Sequence, residues 1–295
     1  MRLNNHQQIQ NKYKKILLDL CIKCLNKLSQ IDPQYNINGY RNIWIVKPNF
    51  LSRGRGIKCF NDLDKIFDYI VGKETQYVVQ KYIERPLLIS NKKFDLRQWV
   101  IIQNFCPPKI WFFEECYLRF CSVDHNIDDL NNKFVHLTNN VIQRCNKDGD
   151  IDKDDLMWRQ DQFAQYLKQT NNNYDVFYEK IQPKMKQIVI NSLKSCKDQV
   201  GSRKNSMELV GYDFMIDSNQ QPWLIEINSS PSMDYSTSIT KDLVQRVLTD
   251  TVKVVVDYSM AKKGTKKLVD TGGFKIIYKG EKNSKLNPKY TNNKK

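Results

Sequence analysis

The sequence lacks any run of about 18 apolar residues, the length that a membrane-crossing helix needs, and Met1 to His6 does not begin an apolar signal region. We therefore expect a soluble protein that is neither secreted nor membrane-spanning. Histidine is scarce, at three residues, and no GxSxG, HExxH, zinc-finger or Walker A pattern occurs. These absences argue against a serine hydrolase, a zinc peptidase and a P-loop nucleotide site.

The eight cysteines form no recognisable framework, because they are scattered and several lie within apolar, strand-like stretches. This distribution indicates reduced, intracellular thiols. Cys21 and Cys24 have the spacing of a redox or metal pair, but they lie in a helical pattern with no second pair and no histidine ligand nearby. We interpret them as packing residues of a helix.

Acidic residues are outnumbered, at 32 against 47 basic residues in a chain of 295, which gives a net charge of +15. The segment 261–295 holds 11 lysines against Asp270 and Glu281, or +9, which leaves +6 for the first 260 residues. Such a surplus attracts nucleic acid, an acidic membrane or an acidic protein segment.

A hydrophobic content of 40% is sufficient for a sizeable core.

Hydrophobic periodicity and turn residues predict the order of elements along the chain. The predicted helices cover 7–29, a short stretch after residue 62, 155–169, 181–200 and a final segment capped by Thr240. The predicted strands cover 42–47 and 77–83, both buried, then 94–102, 110–120, a hairpin over 211–228 and a further strand over 274–278. Residues 135–140 are hard to assign, and the tail from 261 is predicted to be mobile apart from the strand over 274–278.

The hairpin holds the densest chemistry of the sequence. A four-residue loop, Ser218 to Gln221, would pair Met215 with Leu224 and Asp213 with Glu226. Asp213, Glu226 and Asn228 would then share one face, and the apolar side chains at positions 212, 214, 216, 223, 225 and 227 would fill the other.

Two neighbouring carboxylates repel each other unless a cation or a proton lies between them. Carboxylate and amide oxygens suit Mg²⁺, which usually keeps positions open for substrate phosphates. The hairpin therefore either holds Mg²⁺ or is a solvated face whose acids pair with lysines.

Upstream motifs also have two interpretations each. Lys47 ends an apolar strand before the loop SRGRGI, which is either a phosphate-binding glycine loop or an arginine-rich surface turn. Gln80 to Ile83 is a weak indication of an adenine-binding strand end. His136 is either catalytic or, as we favour, a hydrogen-bonded structural residue.

The segment KFDLRQWV places Lys93, Asp95 and Arg97 on one strand face that leads directly into apolar residues. They form either a solvated edge or a buried set, and buried charges demand partners. Arg119, at the end of another apolar strand, is suited to a carboxylate or a phosphate.

The chain resembles the tubulin tyrosine ligase-like family in the order and spacing of its segments: WIVKP, SRGRGI, VVQKYIERPLLI, KFDLRQWV, YLRF, HLTNN and GYDFMID…PWLIEINSSPSM. The resemblance runs from about Asn42 to Tyr258. Four features are similar to the glycylase branch: the loop 52–57, the Gln98-Trp99 pair, Trp158 and the segment 202–206. Glutamylases of the family more often have Ile-Tyr after KFDLR.

The resemblance implies an α+β ATP-grasp fold, in which two α+β subdomains sandwich ATP. The implied domains are an N-terminal helical remnant over 1–40, a small subdomain over 41–85, a catalytic subdomain over 86–260 and a basic tail over 261–295. Members of the family also have an additional N-terminal domain before WIVKP, and this chain offers only about 40 residues there.

The resemblance also implies roles for individual residues. ATP phosphates would bind Lys47 and the loop residues Arg53, Gly54, Arg55, Gly56 and Ile57, and adenine would be bordered by Gln80, Lys81, Tyr82 and Ile83. Lys93 and Asp95 would face the nucleotide, with Thr138 and Asn139 near ribose and phosphates. Catalysis would depend on Arg97, at the γ-phosphate and acyl phosphate, and on Arg119, at a substrate carboxylate. Mg²⁺ would bind Asp213, Glu226 and Asn228.

The implied reaction is the ATP-dependent addition of glycine to glutamate γ-carboxylates in acidic tubulin tails, in the cytoplasm, the cytoskeleton or a cilium. Tubulin and glycine would be the partners, and neither a membrane nor nucleic acid is expected. A polyglutamylase of the same family and a non-catalytic microtubule-binding ATP-grasp protein remain as alternatives.

Overall fold

A computed structural model describes residues 2–32, 35, 41–51, 53–105, 107–146, 152, 154–196, 199–200 and 205–281, with side chains from residue 11 onward. Ser52, Cys106, 202–204 and 282–295, which the predictions above include, lie outside the described residues. The chain divides into unit 1, Met1–Phe50 and Gly56–Arg85, and unit 2, Leu51–Arg55 and Pro86–Lys295. Among the described residues, no helix combines the length and the apolar character needed to span a membrane.

Unit 1 contains a three-stranded antiparallel sheet in the order β2-β1-β3. Its elements are α1 (Arg2–Ile31), β1 (Trp44–Pro48), β2 (Lys58–Phe60), α2 (Leu63–Ile70) and β3 (Tyr77–Lys81). Helix α2 begins after Asp62, whose side chain accepts hydrogen bonds from the backbone N–H groups of Asp64 and Lys65 at 2.9 and 3.3 Å. An acceptor of this kind stabilises a helix by about 1 kcal/mol.

Burial in unit 1 differs from two predictions. The helix predicted over 7–29 is confirmed as α1, but its large apolar side chains from Tyr13 onward are exposed. Cys21 and Cys24 are exposed as well, so the interpretation of these cysteines as packing residues is wrong. Strand β3 is confirmed but not buried, since Val78 and Val79 are 51% and 42% exposed on an outer strand.

Unit 2 contains a larger antiparallel sheet, ordered β10-β9-β5-β6-β11, with β7 pairing with β5 and β8. Its strands are β4 (Leu88–Ile89), β5 (Lys92–Gln103), β6 (Lys109–Phe113), β7 (Tyr117–Phe120), β8 (Met157–Arg159), β9 (Met207–Ile216), β10 (Pro222–Asn228) and β11 (Phe274–Lys279). Its helices are α3 (Lys133–His136), α4 (Asn140–Gln143), α5 (Gln160–Thr170), α6 (Gln182–Cys196) and α7 (Ser238–Val252). Single π-helical segments, Phe177–Ile181 and Lys253–Tyr258, precede α6 and follow α7.

Strand β5 is the centre of unit 2, and every residue of it after Lys92 is buried. Its side chains alternate between two cores, as the period of a strand requires. Phe94, Leu96, Val100 and Ile102 pack with residues of α5 and α6, whereas Trp99 and Ile101 pack with α7. The α+β class expected from the sequence is confirmed.

Several element boundaries differ from the predictions for local reasons. The strand predicted over 110–120 is two strands, because the backbone N–H of Glu114 bonds to Gly273 and that of Cys116 to the side chain of Gln160. The final helix is capped by Thr237, three residues before the predicted Thr240.

The remaining differences concern the middle and the tail of the chain. The helix predicted from 155 begins only at Gln160, since Met157–Arg159 is a strand, and the unassigned stretch 135–140 contributes to α3 and α4. The strand predicted over 274–278, the part of the tail that was not predicted to be mobile, is confirmed as β11, and it pairs with β6.

Candidate active site

Four charged residues meet where β7, β5 and β9 lie side by side. Asp95 on β5 is directly opposite Arg119 on β7, and Arg97 on β5 is directly opposite Asp213 on β9. Directly opposed residues share a face of the sheet, and residues two apart on one strand share it as well. The central position of β5 therefore brings all four side chains together.

The two arginines and two aspartates form one bonded network. Arg97 donates to both carboxylate oxygens of Asp213, from Nε at 2.5 Å and from Nη2 at 3.1 Å. Arg119 donates to both oxygens of Asp95, at 2.7 and 2.6 Å, and from Nη2 also to Oδ2 of Asp213 at 2.9 Å. Bidentate pairs of this kind fix the plane of each guanidinium.

The network is buried, and its charges compensate one another. Burial opposes ionisation of Asp213, which is 2% exposed, but the attraction of Arg119 and Arg97 outweighs it and lowers the pKa of Asp213 to about 2. Burial also opposes the charge on each arginine, yet the attraction of Asp213 raises the pKa of both. Asp213 and both arginines are therefore ionised at neutral pH.

The outer nitrogen of each arginine remains available for another group. In the part of the chain that is described, no hydrogen bond involves Nη1 of Arg97 or of Arg119, whereas the other guanidinium nitrogens bond to the aspartates. A guanidinium that is held rigidly and has spare N–H donors is suited to an oxyanion.

The three predicted metal ligands are also brought together. The amide of Asn228 donates from Nδ2 to Oδ2 of Asp213 at 3.4 Å and to Oε1 of Glu226 at 3.3 Å. Glu226 is exposed, in contrast to Asp213. Rotation of the Asn228 amide by about 180° would exchange its oxygen and nitrogen and place the oxygen near Asp213 and Glu226.

These side chains fit Mg²⁺ as two carboxylates and an amide oxygen, few enough to leave positions for substrate oxygens. They do not form a closed protein cage, because no group of three or more His, Cys, Asp or Glu side chains converges among the described residues. Asp213 is also shared with two arginines, so any cation would bind mainly through Glu226 and the remaining capacity of Asp213.

The hairpin reaches this arrangement by a different register from the predicted one. Asp213 is opposite Glu226 as predicted, but Met215 is opposite Trp223 and not Leu224. A register shift between Leu224 and Glu226 restores the pairing. Trp223 therefore lies on the Asp213 face, and Leu224, not Trp223, packs against the core.

Thr138, between α3 and α4, supports the network, and Lys93, on β5, bonds to the same segment of the chain. Thr138 donates to Oδ2 of Asp95 at 2.6 Å, and the ammonium of Lys93, which is 2% exposed, donates to the carbonyl of His136 at 2.6 Å. The ring of His136 bonds to the carbonyl of Asp129 at 2.8 Å. This geometry agrees with the structural interpretation of His136.

The glycine loop is divided between the units. Its first residues belong to unit 2, where Gly54 has a φ of +74° and lies so close to α4 that a Cβ would be 2.3 Å from Ile142 and 3.0 Å from Asn139 Oδ1. Arg53 and Arg55 are exposed. In unit 1, the carbonyl of Gly56 accepts a hydrogen bond from Tyr69 at 3.0 Å, and Ile57 is half-buried.

The other predicted nucleotide residues lie in unit 1. Lys47 and Gln80 are half-buried on β1 and β3, and Tyr82 and Ile83 are buried just beyond the end of β3. The ammonium of Lys81 bonds to Glu84 at 2.5 Å and to the carbonyl of Ile43 at 3.0 Å. Glu84 also accepts the backbone N–H groups of Ile43 and Arg41.

Sequence reasoning missed two residues that lie beside the arginines. Tyr117, on β7 directly opposite Arg97, is buried beside both guanidinium groups, and burial raises its pKa although the charges of Arg97 and Arg119 oppose this. Gly211 lies under Arg97 and Pro231, where a Cβ would be 3.2 Å from Arg97 Cδ and 2.8 Å from Pro231 Cβ.

The sequence did contain signals for Tyr117 and Gly211. Tyr117 precedes Arg119 by two residues and therefore shares its face, and a glycine inside a strand often marks a close approach.

A surface hollow of about 570 Å³ lies elsewhere in unit 2, lined by Asp250, Lys253 and Asp270 among others. Lys253 bonds to both aspartates at 2.9 Å, so these charges satisfy one another. None of the predicted site residues lines the hollow, and we assign the chemistry to the arginine–aspartate network instead.

Comparison with known proteins gives one family. Residues 2–263 match the model of the "Tubulin-tyrosine ligase family". Tubulin glycylase 3B of Tetrahymena thermophila is 78% identical over 271 residues, which cover 92% of this chain and 23% of that protein. Tubulin glycylase 3C of the same organism is 50% identical over 84% of this chain and 24% of that protein.

A mouse protein named tubulin monoglycylase TTLL3 is 39% identical over 284 residues, or 93% of this chain and 30% of that protein. The chain therefore spans between about a quarter and a third of the length of these curated relatives.

Proposed function

The chain belongs to the tubulin-tyrosine ligase family, and on that premise we propose that it is an ATP-dependent ligase that adds glycine to glutamate side chains in acidic tubulin tails. The relatives reported above are named tubulin glycylases or monoglycylases, which supports glycine as the added amino acid. We infer a location on the cytoskeleton from the tubulin in the same names, and we propose cilia as one such location.

The proposed reaction has two bond-forming steps. An oxygen of the acceptor γ-carboxylate attacks the γ-phosphorus of ATP, and ADP leaves. The amine of glycine then attacks the acyl carbon, phosphate leaves and the nitrogen loses a proton. Both steps concentrate negative charge on carboxylate and phosphoryl oxygens.

Arg97 and Arg119 are assigned to those oxygens. Their Nη1 groups supply N–H donors, and the bonds to Asp213 and Asp95 hold both guanidinium planes before any substrate arrives. Donors that are already oriented cost no reorganisation in the transition state. The proposal rests mainly on this observation.

Mg²⁺ and ATP are assigned by the same reasoning. Asp213, Glu226 and Asn228 would hold Mg²⁺, which would neutralise phosphate charge when bound. Lys93, Thr138 and Asn139 would border the nucleotide from unit 2. The phosphates would be bound by Lys47 and the glycine loop, and the adenine would be bordered by the segment 80–83. Because Lys81 is engaged with Glu84, we assign its backbone, not its ammonium, to the nucleotide.

The test is incorporation of labelled glycine and, separately, labelled glutamate into purified microtubules with ATP and Mg²⁺. Glu226→Gln should reduce glycine transfer at least about 100-fold, since a lost metal ligand removes several kcal/mol of charge stabilisation. Glu208→Gln, an exposed glutamate near the start of β9, is the matched control and should retain activity.

Glutamate incorporation in place of glycine would assign the chain to the polyglutamylases. Equal glycine transfer by wild type and Glu226→Gln would refute the metal assignment.

A further inference from the structure

Two lysines lie over one tyrosine at an end of the unit 2 sheet, and a third lysine lies beside one of them. The ammonium groups of Lys109 and Lys266 each lie 4.8 Å from the centroid of the Tyr258 ring. Lys279 on β11 is directly opposite Lys109 on β6. We call Lys109, Lys266 and Lys279 the lysine cluster.

No ion pair within the part of the chain that the structure describes offsets this concentration of charge. Like charges directly opposite each other across a strand pair destabilise a sheet. Burial and then the charges of Lys266 and Lys279 lower the pKa of Lys109. None of the ion pairs among the described residues involves the lysine cluster. Lys253, by contrast, pairs with two aspartates.

The surroundings add further positive charge. The exposed lysines nearest in sequence are Lys262, Lys263, Lys267 and Lys275. The printed sequence after Glu281 contains five further lysines and no acidic residue. Met260 and Leu268 beside them are 81% and 85% exposed and offer apolar contacts.

The chemistry of the surface favours a peptide over a nucleic acid. Single-stranded nucleic acids bind through accessible aromatic rings on which bases stack. Tyr258 is only 7% exposed and lies beneath two ammonium groups, and Lys194 lies 4.9 Å from the centroid of the Tyr278 ring. Ammonium groups beside an outer strand, as Lys279 is on β11, instead match an extended acidic chain, whose alternate side chains are about 6.6 Å apart.

We propose that the lysine cluster is a docking surface for an acidic, glutamate-rich segment of the protein acceptor, separate from the arginine–aspartate network. The proposal deepens the proposed function and rests on it for the identity of the acceptor. Lys109 is opposite Gln103, six residues along β5 from Arg97, which at about 3.3 Å per residue is about 20 Å. A docked acceptor therefore needs at least about six extended residues between its anchor and the modified glutamate.

The experiment measures binding of a fluorescein-labelled peptide of about twelve glutamates, twice the length that spans this distance, to the 295-residue chain. The variant replaces Lys109, Lys266 and Lys279 with glutamine. The control replaces three exposed lysines of α1, Lys12, Lys23 and Lys27, and so loses the same charge. A third variant with arginine at the three cluster positions retains the charge, and circular dichroism checks folding.

We expect the glutamine variant to bind about tenfold more weakly, the combined effect of three exposed ion pairs, and the control and arginine variants to bind like wild type. The KM for an acceptor peptide should rise with little change in kcat, because docking is equal in the ground and transition states.

Equal binding by the glutamine variant and the control variant would refute the surface. Preferential binding of a single-stranded oligothymidylate, lost in the same variant, would refute the acidic peptide as partner. Weaker peptide binding by the variant together with no glycine transfer by wild type would support the surface and refute the proposed reaction.

Discussion

Gly211→Ala should disturb Arg97 without removing any charged group. The added methyl would lie 2.8 Å from Pro231 Cβ, 3.2 Å from Arg97 Cδ and 3.4 Å from Arg97 Nε. Gly211 does not have a left-handed φ, so the backbone itself accepts alanine. The strain must therefore move either the segment around Pro231 or the guanidinium.

The magnitude follows from the cost of overpacking, about 1–3 kcal/mol. For a protein of this size, each kcal/mol lowers the melting temperature by about 2–4 °C. A guanidinium displaced by about 1 Å from its oriented position would lower kcat for glycine transfer up to about 100-fold. We expect a larger effect on kcat than on KM, because Arg97 is assigned to the transition state.

Gly264→Ala is the matched control, because Gly264 has no atom within 4 Å of its Cβ position and no left-handed φ. The double variant Gly211→Ala/Pro231→Gly removes one of the two contacts and should recover part of the lost stability. Wild-type melting temperature and kcat in Gly211→Ala would show that the close approach to Arg97 does not matter.

Two further predictions concern buried carboxylates. Asp213→Asn should lower the free energy of unfolding of unit 2 by about 3–5 kcal/mol in urea titrations, because Arg97 and Arg119 lose a counter-charge. The pKa of Asp213 is depressed to about 2, so wild-type stability should fall as the pH drops from about 4 through 2, and the variant should lack this fall; an identical pH profile would refute the pairing. Glu84→Gln should speed hydrogen exchange at β1 and β3, since Glu84 bonds to Lys81 and to backbone N–H groups. The pKa of Glu84 is lowered although burial opposes this, so its contribution should be lost as the pH falls below its ordinary value of 4.5, and unchanged exchange would contradict the assignment.

The sequence predicted which residues share a face but not which strands are neighbours. The two-residue alternation of a strand placed Lys93, Asp95 and Arg97 on one face. Buried charges on that face would need partners. Nothing in the local pattern indicated that β9, more than 100 residues later, would lie beside β5 and supply Asp213. Strand neighbours that are distant in sequence depend on the whole fold, so spacing alone does not reveal them.

The hairpin shows a second limit of predicting strand partners from a two-residue period. Counting from a four-residue loop gave the correct partner for Asp213, but Leu224 and Trp223 exchange faces because the register shifts before Glu226. A bulge adds one residue to one strand, and an alternation pattern contains no mark of it. Gly211 did give a local signal, a glycine inside a strand, although its neighbour Arg97 comes from another strand.

The order β10-β9-β5-β6-β11 has a consequence for synthesis on the ribosome. Strand β6 is made early, yet its partner β11 follows about 160 residues later, or about 10–30 s at usual rates of translation. During that interval the edge of β6 and the ring of Phe113, which later packs against Phe274, have no partner on that side. The nascent chain should therefore recruit chaperones until β11 emerges.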